Sequence, residues 1–320
     1  MLESCKDEAM VKDPYTGKVT TAPAIEVLNR RGEVSATLGC VPWVKRYARY
    51  IPDKFFTQGI KAVENLAGIA IARVSERLDH GKGVGREDLL KKLMDGRDNN
   101  GNPLGRKETE AEALTMLIAG SDTTSNTLCS LMFWVLHTPG VLQKLQDELD
   151  AALVPLGEWE IPRYSSVKDL PYLRAVINET LRVHSTSSLG LPRVCPVGGA
   201  TVCGEFFPGG TVLSVPAYTI HHSTEIWGAN ADEFVPERWF NLTPLQKKSF
   251  IPFSTGPRAC VGQNLAEIEM TTIVATVFSG WEWKFAEGER QGLPGAELET
   301  VEGFLRKPVG VEVGVKRRRA

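Results

Sequence analysis

Long apolar runs are missing from this 320-residue chain. No stretch approaches the roughly 20 residues that cross a bilayer, and no secretory leader opens it. Cysteine is scarce too. The six (positions 5, 40, 129, 195, 203 and 260) form no C-x-x-C pair and no framework spacing, which disfavours a disulfide scaffold or a zinc site and points to a reduced compartment or a cytosolic face. Neither a G-x-G-x-x-G fingerprint nor a phosphate-binding P-loop occurs, so any redox nucleotide must act through another protein. Charge of one sign is also lacking. With 37 basic and 39 acidic residues the formal net charge is −2, which argues against a nucleic-acid partner. The only concentrated charge is KRRR, residues 316–319, expected to be a solvated tail. What remains is an ordinary globular composition, 42% apolar and 24% charged, without repeats, and it predicts a single domain over residues 1–320.

Periodicity makes that domain mainly α with a minor β part. Two weak helical patterns flank the turn-rich DPYTG of residues 13–17, the second being the amphipathic 24–39. Residues 52–80 predict a long helix with one buried stripe, through Phe56, Ile60, Val63, Leu66, Ile69, Val74 and Leu78. A shorter helix is expected over 86–94, then a loop over 95–105. The longest helical pattern, 107–137, is apolar nearly all round from Leu114, as befits a helix crossing a core. Thr138 and Pro139 supply the next start signal, for a surface helix, and a further helix runs over 171–184. Residues 193–215 turn β-branched and predict a hairpin turning at Pro208, Gly209 and Gly210. Over 222–259, four prolines (236, 244, 252 and 257) exclude long elements.

The stretch with the most chemistry is FSTGPRACVG, residues 253–262, ahead of a helical run. A thiol at a helix N-terminus meets unpaired backbone N–H groups, which favours the thiolate at Cys260. One thiolate without a second Cys suits a metal held by a single protein ligand, as in haem. Gly256 and Gly262 allow tight turns and close approach, Arg258 offers a forked donor to a carboxylate, and Phe253 can pack beside the sulfur. Upstream, AGSDTTS at 119–125 sets small Ala119 and Gly120 before Asp122 and Thr123, a carboxylate beside a hydroxyl that can relay protons into a dry pocket. Glu179 and Arg182 stand three residues apart, on one helix face.

Residues 253–262 resemble the cysteine-ligand signature F-x-x-G-x-R-x-C-x-G of the cytochrome P-450 superfamily, matching all five fixed positions. Chance would give that match roughly once in several million starts. The resemblance implies the P-450 fold, haem b (iron protoporphyrin IX) with Cys260 as its axial thiolate and only metal ligand, and a haem-thiolate monooxygenase. AGSDTTS is similar to the family's oxygen-activation segment, which makes Asp122 and Thr123 the proton-delivering catalytic pair. E-x-x-R and PERW (236–239, with Trp239 where Phe is usual) are similar to family motifs that imply a structural network of Glu179, Arg182 and Arg238. Arg193, in LPR, and Arg258 become the haem-propionate candidates, beside Phe253, Gly256 and Gly262 as cofactor-binding positions. The hydroxyls of Ser185, Thr186, Ser187 and Ser188 could meet a polar substrate group or simply form a hydrated turn. His221 and His222 are expected in turn or capping roles.

The family also implies partners: an NADPH-dependent flavoprotein reductase, a small organic substrate and dioxygen. Lys247 and Lys248 are candidate docking charges for an acidic partner. Eukaryotic members usually begin with a membrane anchor and carry a W-x-x-x-R motif ahead of the oxygen segment. Neither is found here, so the chain is expected to be a C-terminal portion of a longer protein or a shortened gene product. Its location would be the cytosolic face of the endoplasmic reticulum membrane, reached through a segment outside this sequence. Residues 26–39 and 62–74 resemble fungal benzoate para-hydroxylases, which implies an aromatic acid as substrate. The alternatives are a haem-thiolate isomerase or dehydratase, against which the intact Asp122-Thr123-Thr124 run argues, and a truncated remnant without catalysis.

Overall fold

The computed structural model describes residues 8–13, 15–80, 85–153 and 161–318, and is mainly helical with five small two-stranded sheets among them. Pro14 of the DPYTG turn, Cys5 and Arg319 lie outside the described residues. The chain divides into two compact units, residues 1–122 and 123–320, with the boundary inside one helix.

The first unit opens on strands β1 (Glu8–Lys12) and β2 (Val19–Pro23), paired antiparallel with Met10 opposite Thr21. The helical pattern expected before the turn is therefore a strand. Asp13 decides this: its Oδ1 accepts the Tyr15 and Thr16 N–H groups at 2.9 and 2.6 Å, closing a turn that leads into the β-branched run of β2. Helices α1 (Ala24–Cys40) and α2 (Lys54–His80) follow. In α2 the expected stripe is only partly right, because Val63 and Leu78 are 43% and 45% exposed. The buried face keeps Leu66, Ile69 and Val74 of that stripe and completes it with small residues, Gly59, Ala62 and Ala70. A Cβ on Gly59 would stand 2.1 Å from Val34, and one on Gly68 2.4 Å from Val11. Close approach of α1 and β1 selected small side chains over large ones. A short α3 (Leu89–Met94) is capped by Asp88, which accepts the Lys91 N–H at 3.0 Å. Then comes α4 (Arg106–His137), whose Leu114, Leu117 and Ile118 pack on the core of this unit around Leu66 and Ile69.

The second unit takes the rest of α4, then α5 (Val141–Ala152), α6 (Tyr164–Val167) and α7 (Pro171–Val183). The expected Thr138 cap is not used; α5 starts at Val141 behind Gly140, whose φ of 80° turns the chain first. The helix is the expected surface helix: Gln143, Lys144 and Asp147 are exposed, while Leu145 and Leu149 are buried with Leu131, Leu173, Val176, Val274 and Phe278 in the main core. Pro171 does open α7, and the helix is capped from α5: the Glu148 carboxylate accepts the Tyr172 and Leu173 N–H groups, both at 2.8 Å.

The β region differs from expectation in its turn. Strands β4 (Ala200–Val202) and β5 (Glu205–Phe207) form the hairpin, while β3 (Arg193–Val194) pairs with β6 (Val212–Leu213) around it. Cys203 and Gly204, both at positive φ (52° and 87°), make the two-residue turn that matches strand twist. Pro208 to Gly210 instead steers the chain from β5 into β6.

The next segment holds only short elements, as its prolines imply, and two of those prolines start them. After α8 (Ala217–His221) and α9 (Thr224–Trp227), Pro236 opens a 3-10 turn over Pro236–Phe240 and Pro244 opens α10 (Pro244–Ser249). Helix α11 (Gln263–Gly280) leads to β7 (Trp281–Phe285), the small pair β8 (Thr300–Val301) and β9 (Lys307–Pro308), and β10 (Val313–Arg317). Lys316 and Arg317 are not a solvated tail: they pair with Glu282 and Trp281 in the β7–β10 sheet, and Arg318 meets Asp150 at 2.7 Å.

Candidate functional site

The Cys260 loop is held by its backbone. The Cys260 N–H donates to the Phe253 carbonyl at 2.9 Å, and the Ala259 N–H to the Gly256 carbonyl at 3.0 Å. Gly256 has φ 77°, a left-handed conformation that removes the penalty only for a residue without Cβ. Phe253 packs against the main core and anchors one end, while residues 254–261 are exposed. The Cys260 carbonyl accepts the Gln263 N–H at the start of α11, so the thiol does sit ahead of a helix N-terminus. A Cβ on Gly262 would stand 3.8 Å from the Cys260 sulfur. Arg258, ending a 3-10 turn, and Arg193, in β3, are both exposed; the Arg193 guanidinium reaches the Pro192 carbonyl at 3.0 Å.

No group of three or more His, Cys, Asp or Glu side chains among the described residues could hold a bare metal ion. A lone, exposed, backbone-fixed sulfur fits a metal that brings its other ligands with it, as haem does. A cavity of about 130 Å³ lies to one side, lined by Ile177, Asn178, Phe250, Phe253 and Gln263, and Cys260 is not among its lining residues.

Asp122 and Thr123 are adjacent and half-buried on α4, after exposed Ala119 and Gly120. One turn on, the Thr127 hydroxyl donates to the Thr123 carbonyl at 3.0 Å.

Glu179, Arg182 and Arg238 come together as expected, in a larger cluster. Glu179 and Arg182 are wholly buried and pair through two bonds, Nε to Oε2 at 2.9 Å and Nη2 to Oε1 at 2.8 Å. The other three Arg182 N–H groups reach the carbonyls of His221 (2.7 Å), Ala231 (2.6 Å) and Glu233 (3.0 Å), so all five donors are used. Arg238 Nε donates to Glu179 at 3.2 Å and its other nitrogens hold the Trp227 and Asn230 carbonyls, each at 3.0 Å. Trp239 is more than a replacement ring. Its indole Nε1–H donates to Glu179 Oε2 at 2.9 Å, and its ring meets Phe250 edge-on at 4.5 Å.

His221 was hidden from sequence reasoning, because a His–His pair carries no mark of burial. It neither caps a helix nor lies in solvent. Its Nε2 accepts the Ile251 N–H at 2.9 Å, so the proton is on Nδ1, which donates to Ser185 Oγ at 2.6 Å. Burial first, then the positive charge of Arg182, pushes its pKa down to about 3. His221 thereby ties α7 to the approach of the Cys260 loop. His222 contacts exposed Asp232 at 2.6 Å and the Val183 carbonyl at 3.0 Å. The serine-rich run is not free to bind substrate as a set: Ser185 also donates to the Arg182 carbonyl at 3.1 Å, and Thr186 Oγ1 lies 3.1 Å from Thr127 Oγ1. Ser188 Oγ, by contrast, is buried without a hydrogen-bond partner.

The sequence profile of the cytochrome P-450 family matches residues 20–315. The chain belongs to the cytochrome P-450 family. It is 54% identical to benzoate 4-monooxygenase bphA of Aspergillus niger, over 99% of this chain and 61% of that protein. A cytochrome P-450 monooxygenase of Aspergillus terreus is 30% identical over 76% of the chain and 51% of its own length. A cytochrome P-450 of Uromyces fabae is 30% identical over 82% and 49%. The chain thus spans about half to three fifths of the length of these P-450 relatives.

Proposed function

We propose that this P-450 chain is the haem-thiolate part of a monooxygenase that places one atom of dioxygen on the para carbon of benzoate or a related aromatic acid. The other atom leaves as water. The observation that carries the reaction class is the Cys260 loop, an exposed thiol fixed by backbone bonds and by a glycine at positive φ. The substrate class follows the similarity to the Aspergillus niger enzyme. When bound, haem supplies the redox chemistry of oxygen activation.

The chain's own residues then have separable tasks. Cys260 would hold the haem iron through its thiolate. Arg258 and Arg193 would offer exposed guanidinium groups to the propionates, and Gly256 and Gly262 would let the loop backbone come close. Asp122 would offer a carboxylate and Thr123 a hydroxyl, and together they would relay protons toward the reacting face. Ser188, with its buried hydroxyl lacking a partner, is the best placed of the serine run to bond a substrate carboxylate. An NADPH-dependent flavoprotein reductase would supply electrons, with exposed Lys247 and Lys248 on α10 as docking charges. The location in keeping with the family is the cytosolic face of the endoplasmic reticulum; among the described residues no helix is long and apolar enough to cross a membrane.

The deciding test is the carbon monoxide difference spectrum of the haem-loaded chain. A red-shifted thiolate band is expected in the wild type and none in Cys260→Ser. Benzoate titrated into the same protein should shift the Soret band; no shift at millimolar ligand removes the aromatic acid. Labelled dioxygen appearing in the product excludes the isomerase alternative. If charge reversal at Lys247 and Lys248 leaves the reduction rate and its salt dependence unchanged, docking there is wrong.

A further inference from the structure

Thr127, outside every motif, and Thr186, of the serine-rich run, form a directed chain that ends on the proton-delivering segment. The Thr127 hydroxyl has one proton, and that proton is on the Thr123 carbonyl at 3.0 Å. The 3.1 Å contact between Thr127 Oγ1 and Thr186 Oγ1 therefore has Thr186 as donor. Both threonines are nine-tenths or more buried, so neither bond is exchanged with bulk water. The Thr186 carbonyl in turn accepts the Arg306 N–H at 2.9 Å, and His184, two residues back, holds the Arg306 carbonyl at 3.2 Å. Arg306 is further fixed by its guanidinium, 4.8 Å over the Tyr218 ring and 2.9 Å from Glu302. It ends the β8–β9 connection, which carries an exposed Phe304.

We propose that the Thr186–Thr127 hydroxyl pair is a latch: both are positioning residues that hold the Thr123 peptide in register from the β8–β9 hairpin. The proposal rests on the role assigned to Thr123 above. Side-chain hydroxyls bonding the i−4 carbonyl loosen and bend helices. Here the donating Thr186 keeps Thr127 in one rotamer, so the Thr123 carbonyl has one defined second partner. The Thr123 side chain is carried by that peptide, and its hydroxyl must meet the reacting face to within a fraction of an ångström. If the peptide drifts, proton delivery is mistimed and two electrons go to peroxide (NADPH + H⁺ + O₂ → NADP⁺ + H₂O₂). Coupled turnover instead follows RH + O₂ + NADPH + H⁺ → ROH + NADP⁺ + H₂O.

The test compares wild type, Thr127→Val, Thr186→Val, the double valine variant and Thr127→Ser, with Thr123→Ala as reference. Valine keeps the volume and removes the hydroxyl. In the haem-loaded chain with reductase and benzoate, peroxide per NADPH should rise roughly three- to ten-fold in either valine variant, the equivalent of one lost hydrogen bond. It should rise no further in the double variant and return toward wild type in Thr127→Ser. The second readout needs no turnover. In the haem-free chain, hydrogen exchange at the Arg306 amide should quicken in Thr127→Val, two hydrogen bonds away along the chain through Thr186. Additive peroxide effects, a Thr127→Ser variant as leaky as the valine, or an Arg306 amide unchanged in Thr127→Val would each overturn the latch. A Thr123→Ala variant that makes no extra peroxide would instead remove the role of Thr123, leaving the amide exchange to decide the coupling.

Discussion

The Glu179 cluster and the Cys260 loop lie in the same unit and are built in opposite ways. Around Glu179 every donor and acceptor finds a protein partner: five N–H groups come to one carboxylate, and Arg182 uses all five of its own. Around Cys260 the backbone makes the bonds and the side chains are left outward, from Ser254 to Val261. A cluster whose bonding is complete can only hold neighbouring chain in place, here the carbonyls of residues 221, 227, 230, 231 and 233. A loop whose shape is set by backbone bonds keeps its side chains for something else. Stability should therefore follow the first region and ligation the second.

Glu179→Ala should break this contrast most severely, because it strands two buried guanidinium groups; a loss of about 3–5 kcal/mol in chemical denaturation is expected. An unchanged midpoint would mean the cluster holds nothing. Trp239→Phe keeps the ring against Phe250 and removes only its bond to the carboxylate. It should cost about 1.5–3 kcal/mol, the range for a hydrogen bond to a charged group. Next comes pH. His221 and His184 are neutral in the fold, with pKa values pushed down to about 3 and about 4 mainly by burial. Unfolding raises each toward its ordinary 6.5, so the unfolded chain takes up the protons and stability falls as pH drops below about 6.5. The slope is about 1.4 kcal/mol per pH unit for each histidine, down to its folded value. Denaturation midpoints that stay flat from pH 6.5 to 4.5 would contradict the neutral tautomers.

In the loop, Gly256→Ala meets no neighbouring atom within 4 Å, so its penalty is the positive φ alone, about 1 kcal/mol. The smallest stability change belongs to the residue with the largest functional one. Cys260→Ser should lie within about 0.5 kcal/mol of wild type, as exposed substitutions do, while abolishing the thiolate band. A large destabilisation there would show the thiol to be structural and end the contrast.

Part of this was legible beforehand. The long helices over Lys54–His80 and Arg106–His137 and the helix after Cys260 were marked by period, and the Glu179–Arg182 pair by spacing, while only the family resemblance implied that Arg238 joins it. What was not legible depended on partners distant in the chain. Nothing near Trp239 says that its N–H will meet Glu179, sixty residues away. His221 carried only the expectation of a turn or capping role, whereas Trp227 and Phe250 close around it. The buried face of α2 differs from the expected stripe at Val63 and Leu78, which are exposed, while the close approach of Val34 and Val11 requires glycine at 59 and 68. The hairpin turn was placed on a Pro-Gly-Gly run, while a Cys-Gly pair with the right handedness made it.

Sequence alone determined the chemistry on offer: a lone thiol between glycines, a carboxylate beside a hydroxyl, and the periods that make helices of the segments around them. These are local properties, written in residues within a turn or two of each other. Tertiary structure decided which polar groups are already satisfied and which are left for a ligand. It closed the bonding of Ser185, His221 and Trp239 and left the Ser188 hydroxyl without a partner. The physical reason is that burial and hydrogen-bond saturation depend on what packs against a side chain from elsewhere in the chain, and no window of sequence contains that.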